Sequence, residues 1–212
     1  MTQLADRWSL VVPVKRVENA KTRLGLDAAS RASLAVAMAV DTVAAALACP
    51  RVSAVVVVTD DRRAREALEP LGVQIVPDTP DAGLNAALEH GVARARNGHV
   101  GALASDLPAL RPDDLAAVLA LAAAHEQSVV GDLSGTGTTL LCARSAAHFT
   151  PRFGVESLAA HLAAGAADLT ERAAESVRRD VDTVEALSGA VDLGVGPATR
   201  LALNGLPVAE GL

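Results

Sequence analysis

Aromatic residues are nearly missing from this chain: two Phe, one Trp and no Tyr among 212 residues. With 50% of the residues apolar, the core has to be built from Val, Leu and Ala. That favours a parallel sheet covered by Ala-rich helices over an all-β sandwich. Cysteine is scarce as well. Cys49 and Cys142 lie in an apolar helix-like and an apolar strand-like segment and form no C-x-x-C pair, so a disulfide framework is excluded and reduced, buried thiols of a cytoplasmic protein are expected. The five histidines, at 90, 99, 125, 148 and 161, show no metal-ligand spacing, which argues against a zinc site. A basic footprint is absent too. The formal net charge is −6, against general nucleic-acid binding, so any phosphate binding must be local. The N-terminus, with Asp6 and Arg7, shows no clean apolar run before a cleavage site. The longest apolar helix pattern, Leu34 to Cys49, carries Asp41 in its middle and reads as a packed helix, with no membrane partner expected.

What is present is an alternation of strand and helix signals within a length that suits one domain, 1–212. Leu10–Val14 reads as a short strand followed by a basic loop, KRVENAKTRL. Ala28–Ala48 is a long helix pattern opened by Asp27 as N-cap. Ala54–Val58 is a β-branched run of the buried parallel type. Arg62–Leu68 follows as a charged helix, then Val73–Val76 as a strand ending in the turn-rich PDTPDAG. Leu84–Arg96 reads as a helix, Val100–Ala104 as the central strand, and Pro112–Ala124 as a helix with Pro112 in its first turn. The rhythm then changes. Ser128–Val130 and Thr138–Ala143 read as two strands joined by GDLSGTG, Val155–Ala164 as a helix, and Val177–Asp180 as a short strand. Val184–Leu187 begins the last helix, and the tail from Gly194 has weak periodicity and reads as surface packing. The expected fold is α/β: a Rossmann-like domain with a mixed, mostly parallel central sheet and antiparallel additions in its second half.

Three carboxylates fall where such a fold exposes its ligand-binding edge. Asp106 follows the central strand in ASDLPAL, and Asp180 and Asp182 sit in RRDVDT. Strand C-termini are where open α/β sheets bind ligands, and alternate residues of an extended segment face one side, so Asp180 and Asp182 can enter one site. Convergent carboxylate oxygens suit a hard divalent cation such as Mg²⁺, which in turn suits phosphates. Lys15, Lys21 and Arg23 could clamp a triphosphate from the loop after the first strand, or form a solvated basic loop. Asp182 before TVEAL also looks like a helix N-cap. Ser105 could serve only to bond its turn. Gly83, Leu84 and Asn85 open a helix. The Asn amide, donor and acceptor at once, suits a base edge as well as an ordinary helix start. Gly154 and Ser157, in PRFGVES, could offer an anion backbone amides and a hydroxyl, or be a plain helix turn.

With these strings placed, the chain resembles the nucleotidyltransferases of GT-A-like fold. Within them it resembles the phosphoenolpyruvate and 2-phospho-L-lactate guanylyltransferase family of coenzyme F-420 biosynthesis. VPVKRVENAKTRL, the helix containing AVDT, GLNAAL, SDLPAL, GTGTTLL, PRFGVES, RRDVDT and LGVGPAT occur in order over nearly the whole chain. The wider superfamily has a Gly-rich loop after the first strand; here no glycine occurs before Gly25, a feature shared with the guanylyltransferases, which leaves more phosphate contact to Lys15, Lys21 and Arg23. The resemblance implies metal binding and catalysis by Asp106, Asp180 and Asp182, and nucleotide contacts from Lys15, Lys21, Arg23, Gly83, Asn85 and Ser105. It places phosphoenolpyruvate against Thr138, Gly154 and Ser157, with Arg152 ranked below them. GTP, phosphoenolpyruvate, Mg²⁺ and the next transferase of the pathway are the implied partners. Residue patterns do not choose between phosphoenolpyruvate and 2-phospho-L-lactate. The overall resemblance, including PRFGVES and LGVGPAT, and the high Ala and Arg usage favour the former. A non-catalytic GTP-sensing domain is the alternative from another class, though it would have little reason to keep all three carboxylates with an acceptor loop.

Overall fold

Residues 7–15, 21–79, 82–95 and 98–206 are described in the computed structural model; residues 16–20 of the basic loop lie outside them. Strands β1 (Trp8–Pro13), β2 (Val52–Val58) and β4 (His99–Leu103) are mainly apolar runs buried over most of their length, the pattern of central parallel strands. With β3 (Gln74–Val76), β5 (Gln127–Gly131), β6 (Thr138–Ala143) and β7 (Ala167–Asp168) they form one seven-stranded sheet of order β3-β2-β1-β4-β6-β5-β7. Only β6 among them runs antiparallel, to β4 and β5 alike. The α/β fold with a mixed, mostly parallel sheet is therefore the one expected.

Alternation along the strands sorts the core into two layers. Trp8, Leu10 and Val12 face α1 (Ala28–Ala48), α2 (Arg62–Leu68) and α4 (Pro112–Ala122). Val11, Val56 and Val58 face α3 (Leu84–Val92), with Leu158 of α5 (Ser157–Ala163) in the same cluster. At Gly91 the contact is so close that a Cβ would meet both methyls of Val11 and stand 2.9 Å from a Val58 methyl. Asp27 caps α1 as expected, accepting from the N–H groups of Ala29 and Ser30.

Two expectations fail. Residues 177–180 are not a strand: Glu175–Arg178 form a helical turn, α6, stabilised by the i,i+4 ion pair of Arg179 with Glu175. Ser176 ties that turn to α4, its hydroxyl donating to Asp114 Oδ2 at 2.6 Å. The tail beyond α7 (Val184–Leu193) is also more than surface packing. Pro197–Asn204 form α8, docked on α1 by the buried Asp41 carboxylate, which accepts from the N–H groups of Ala198 (3.0 Å) and Thr199 (2.7 Å). No local periodicity reports such a cap, because its acceptor lies on another helix.

Sheet order positions the site. From β1 the chain winds outward through β2 and β3, then returns to place β4 on the other side of β1. Loops leaving the C-terminal ends of β1 and β4 therefore diverge and leave a crevice between them.

Candidate active site

That crevice is a cleft of about 370 Å³, lined by Pro13–Lys15 after β1, Ala102–Asp106 at the end of β4, and Lys21, Thr138, Phe153, Asp180 and Asp182 among others. Asp106, Asp180 and Asp182 thus share one cavity, although they come from opposite halves of the chain. The RDVD segment reaches it without being a strand. The Val181 N–H donates to the Asp106 carbonyl at 3.1 Å, and the Val181 side chain is fully buried, so its two neighbours face the cleft by alternation. Asp182 does not cap α7; Thr183 does, accepting from the Ala186 N–H.

Lys21 stands between the carboxylates, donating to Asp106 and, at 2.8 Å, to Asp182. Its backbone is left-handed at φ 58°, a conformation that costs a non-glycine residue on the order of 1 kcal/mol, so the contacts around the ammonium hold it there. Burial pulls its pKa down, but the charges of Asp106 and Asp182 and their hydrogen bonds outweigh this, and the net shift is upward. Lys21 is a fixed positive charge. Asp180 behaves oppositely. Burial first, then the charges of Asp106, Asp132 and Asp182, push it to about 7 despite Lys21.

This donor set fits a hard divalent cation in chemistry and in charge. The ligands are all carboxylate oxygens, and the negative charge that raises Asp180 is what a cation would relieve. As they lie, no group of three acidic, histidine or cysteine side chains among the described residues is drawn together closely enough to hold an ion; the spacing is that of a carboxylate pair bridged by an ammonium.

The other expected residues divide. Lys15 lines the cleft, its ammonium 2.7 Å from Asp78 Oδ2. Ser105 also lines it, with its carbonyl 3.3 Å from the Thr42 hydroxyl oxygen. Arg23 is exposed on a 3-10 turn and is not part of the lining, nor is Gly83. The Asn85 amide is engaged inside the protein. Its Nδ2 donates to the Phe153 carbonyl (3.1 Å) and its Oδ1 accepts from the Phe153 N–H (2.8 Å), which ties the start of α3 to the PRFG loop. Of Thr138, Gly154 and Ser157, only Thr138 lines the cleft. Ser157 is buried behind it and donates to Thr138 Oγ1 at 3.1 Å. Gly154 turns the loop at φ 143°, in a region that favours glycine, with nothing within 4 Å of where a Cβ would stand.

Several residues that build the site were not singled out as site candidates from sequence. Thr42, fully buried on α1, accepts from the Leu107 N–H at 3.0 Å and donates to the Met38 carbonyl, so it fixes the loop that carries Asp106. Gly196, at the start of α8, holds the same loop through its N–H to the Pro108 carbonyl. Asp132 shapes the GTGT turn, accepting from the Thr136 N–H and the Ser134 hydroxyl. The available signal was a polar pair, Asp41-Thr42, inside the otherwise apolar stretch Leu34–Ala48, and a further carboxylate, Asp132, just after a strand.

Residues 8–196 match the protein family described as "Guanylyl transferase CofC like". The chain is 49% identical over 205 residues to the phosphoenolpyruvate guanylyltransferase of Thermomonospora curvata, covering 94% of this chain and 90% of that protein. It is 49% identical over 209 residues to that of Streptomyces coelicolor, covering 96% and 99%, and 52% identical over 206 residues to that of Geodermatophilus obscurus, covering 93% and 94%. Among solved structures it is similar to a nucleotidyl transferase from Methanothermobacter thermautotroptrophicus, with a TM-score of 0.62 at 22% identity, covering 88% of this chain and 97% of that one. A CMP:2-keto-3-deoxy-manno-octonic acid synthetase complexed with CTP has a TM-score of 0.53 at 16% identity, covering 94% and 100%. These structural likenesses establish the nucleotidyltransferase fold. The match over most of the chain, with relatives near half identity from end to end, establishes that this chain belongs to the CofC-like guanylyl transferase family.

Proposed function

We propose that the chain joins the phosphate of phosphoenolpyruvate to the α-phosphate of GTP. Pyrophosphate leaves, and the product is enolpyruvyl-diphospho-guanosine for coenzyme F-420 biosynthesis. The observation that carries this reading is near-half identity along the whole chain to relatives named for phosphoenolpyruvate guanylyl transfer. The cleft supports it: carboxylates, lysines and a hydroxyl meet between the diverging ends of β1 and β4.

A phosphate monoester has its second pKa near 6, so the attacking oxygen is already largely ionised at pH 7 and needs no general base. The task is to bring two polyanions together in line. Lys21, charged and held in place, compensates charge at the centre of the cleft, and Lys15 does so at its rim. Arg23, exposed two residues after Lys21, has a planar fork of donors for the outer phosphates. Asp106, Asp180 and Asp182 would hold Mg²⁺, which when bound supplies neutralisation of both substrates and polarisation of the phosphoryl oxygens. On the acceptor side, Thr138 presents its hydroxyl, backed by Ser157 and by the PRFG loop that Asn85 anchors. Both cysteines are free and buried, in keeping with a cytoplasmic location.

The test is incubation of the purified chain with GTP, Mg²⁺ and either phosphoenolpyruvate or 2-phospho-L-lactate, following pyrophosphate release and product mass. Pyrophosphate release and the enolpyruvyl product from the first acceptor are expected. Turnover of the second alone would replace the acceptor, and turnover of neither would leave a GTP-binding protein.

A further inference from the structure

We infer that His161 positions the acceptor by dictating the direction of the Thr138 hydroxyl proton, turning that hydroxyl into a one-way donor toward the cleft. This rests on the reading that the acceptor sits against Thr138.

His161 lies on α5 and is fully buried, with the edge of Phe153 packed on it at 5.0 Å between ring centroids. Its Nε2 is 2.9 Å from the backbone nitrogen of Arg152. A main-chain N–H can only donate, so Nε2 is the unprotonated nitrogen and the ring proton sits on Nδ1. Burial, and to a lesser degree the Arg152 charge, hold the imidazole neutral by lowering its pKa to about 4, against the opposing pull of the Ser157 carbonyl. Nδ1 is 3.0 Å from Thr138 Oγ1, so Nδ1–H donates to that oxygen. Ser157 Oγ donates to the same oxygen.

A hydroxyl has two acceptor sites and one proton. Both acceptor sites of the Thr138 hydroxyl are therefore filled from inside the protein, and Thr138 itself is half-buried in the wall of the cleft. Its proton is left to point at the ligand. The complement of such a donor is an oxygen that can only accept: a phosphate or carboxylate oxygen of the acceptor, not a hydroxyl donor. The Arg152 N–H, the His161 ring and the Thr138 hydroxyl form one polarised chain ending on the anion, each bond strengthening the next. His161 touches no substrate in this arrangement. It is a positioning residue, and it gives the buried Ser157 hydroxyl a role as the second partner that saturates Thr138.

The experiment is steady-state kinetics on the full chain, varying phosphoenolpyruvate at saturating GTP and the reverse, for Thr138→Val, His161→Gln, His161→Asn and the Thr138→Val/His161→Gln double variant. Thr138→Val should raise KM for phosphoenolpyruvate roughly ten- to hundredfold, the loss of one hydrogen bond to a charged group, and leave KM for GTP unchanged. His161→Gln should do the same, since Gln reproduces the acceptor at Nε2 but puts no donor at Nδ1. His161→Asn, with its amide near the Nδ1 position, should recover most of the loss. The double variant should be no worse than Thr138→Val alone. Independent effects in the double variant, or equal rises in both KM values, would overturn the relay. An unchanged phosphoenolpyruvate KM in Thr138→Val would instead remove the acceptor placement, and the relay with it. On the unmutated protein, ¹⁵N NMR of the imidazole should show the Nδ1–H tautomer; an Nε2–H ring would refute the relay without any substitution.

Discussion

Asp41→Ala is the substitution that most directly tests how the C-terminal segment is held to the rest of the protein. The buried carboxylate accepts from the first turn of α8 through both oxygens, at 3.0 and 2.7 Å. Each such charge-assisted bond contributes about 1.5–3 kcal/mol, and truncation leaves the Thr199 N–H without its acceptor. Against this stands the relief of desolvating a carboxylate, so the net loss should be about 3 kcal/mol. For a chain of this size that lowers Tm by roughly 6–12 °C. Asp41→Asn keeps the shape but turns an N–H donor toward one of the two N–H groups, so it should rescue little. Gly196→Ala attacks the same joint from the other side, because its Cβ would stand 2.8 Å from Asp41 Cβ and closer still to the carboxylate carbon. Once Asp41 is Ala, most of that clash is gone, so the double variant should be more stable than the sum of the singles allows. Thermal melts by circular dichroism and urea unfolding with an unchanged m-value are the assays. An Asp41→Ala protein melting within about 2 °C of the parent, less than 1 kcal/mol on this scale, would refute the cap. So would strict additivity of the two substitutions.

Three further outcomes are expected. Replacing Asp106, Asp180 or Asp182 by Ala should lower turnover by roughly two to four orders of magnitude with the melting curve nearly intact, since charge compensation is the main catalytic term; near-normal rates in Mg²⁺ for both Asp180→Ala and Asp182→Ala would exclude them as metal ligands. The double variant Lys21→Ala/Arg23→Ala should bind GTP at least tenfold more weakly by calorimetry, Arg23→Lys should already weaken binding through loss of the planar fork, and an unchanged affinity in the double variant would remove the clamp. His161 makes stability pH-dependent: its folded pKa of about 4 lies below the ordinary 6.5, so the unfolded chain binds the extra proton between those values and stability falls as pH drops from 6.5 toward 4. Between pH 7 and 5 the loss should be about 2 kcal/mol, read by urea unfolding as the part of the pH dependence missing in His161→Gln; equal pH dependence in both proteins would contradict a buried neutral ring.

Local pattern carried most of the architecture. The buried runs of β1, β2 and β4 and the amphipathic stretches of α1 to α4 were legible because side chains on one strand face or helix face repeat at fixed intervals. Asp106 was legible as a strand-end carboxylate, and Asp180 and Asp182 as an alternating pair, since both statements need only near neighbours. The boundaries were looser: α3 ends at Val92 and α4 at Ala122, a few residues short of their apolar patterns. Composition also decided something by itself, for a core with so few aromatics has to be built from Val, Leu and Ala.

Tertiary structure alone decided what depends on residues far apart in the chain. A strand signal at Val177 yielded to a helical turn because Ser176 found Asp114 on α4 and Arg179 found Glu175. The tail formed α8 because its N-terminal N–H groups met a carboxylate 157 positions earlier. Asn85, suited by its amide to a base edge or to a helix start, bonds the Phe153 backbone through both its oxygen and its nitrogen. His161 showed no chemistry by spacing, yet the fold set it between a backbone amide and the Thr138 hydroxyl. Periodicity reports which face a side chain occupies; the partner that satisfies a buried donor or acceptor is chosen only when distant segments come together, because hydrogen bonds act over about 3 Å whatever the separation along the chain.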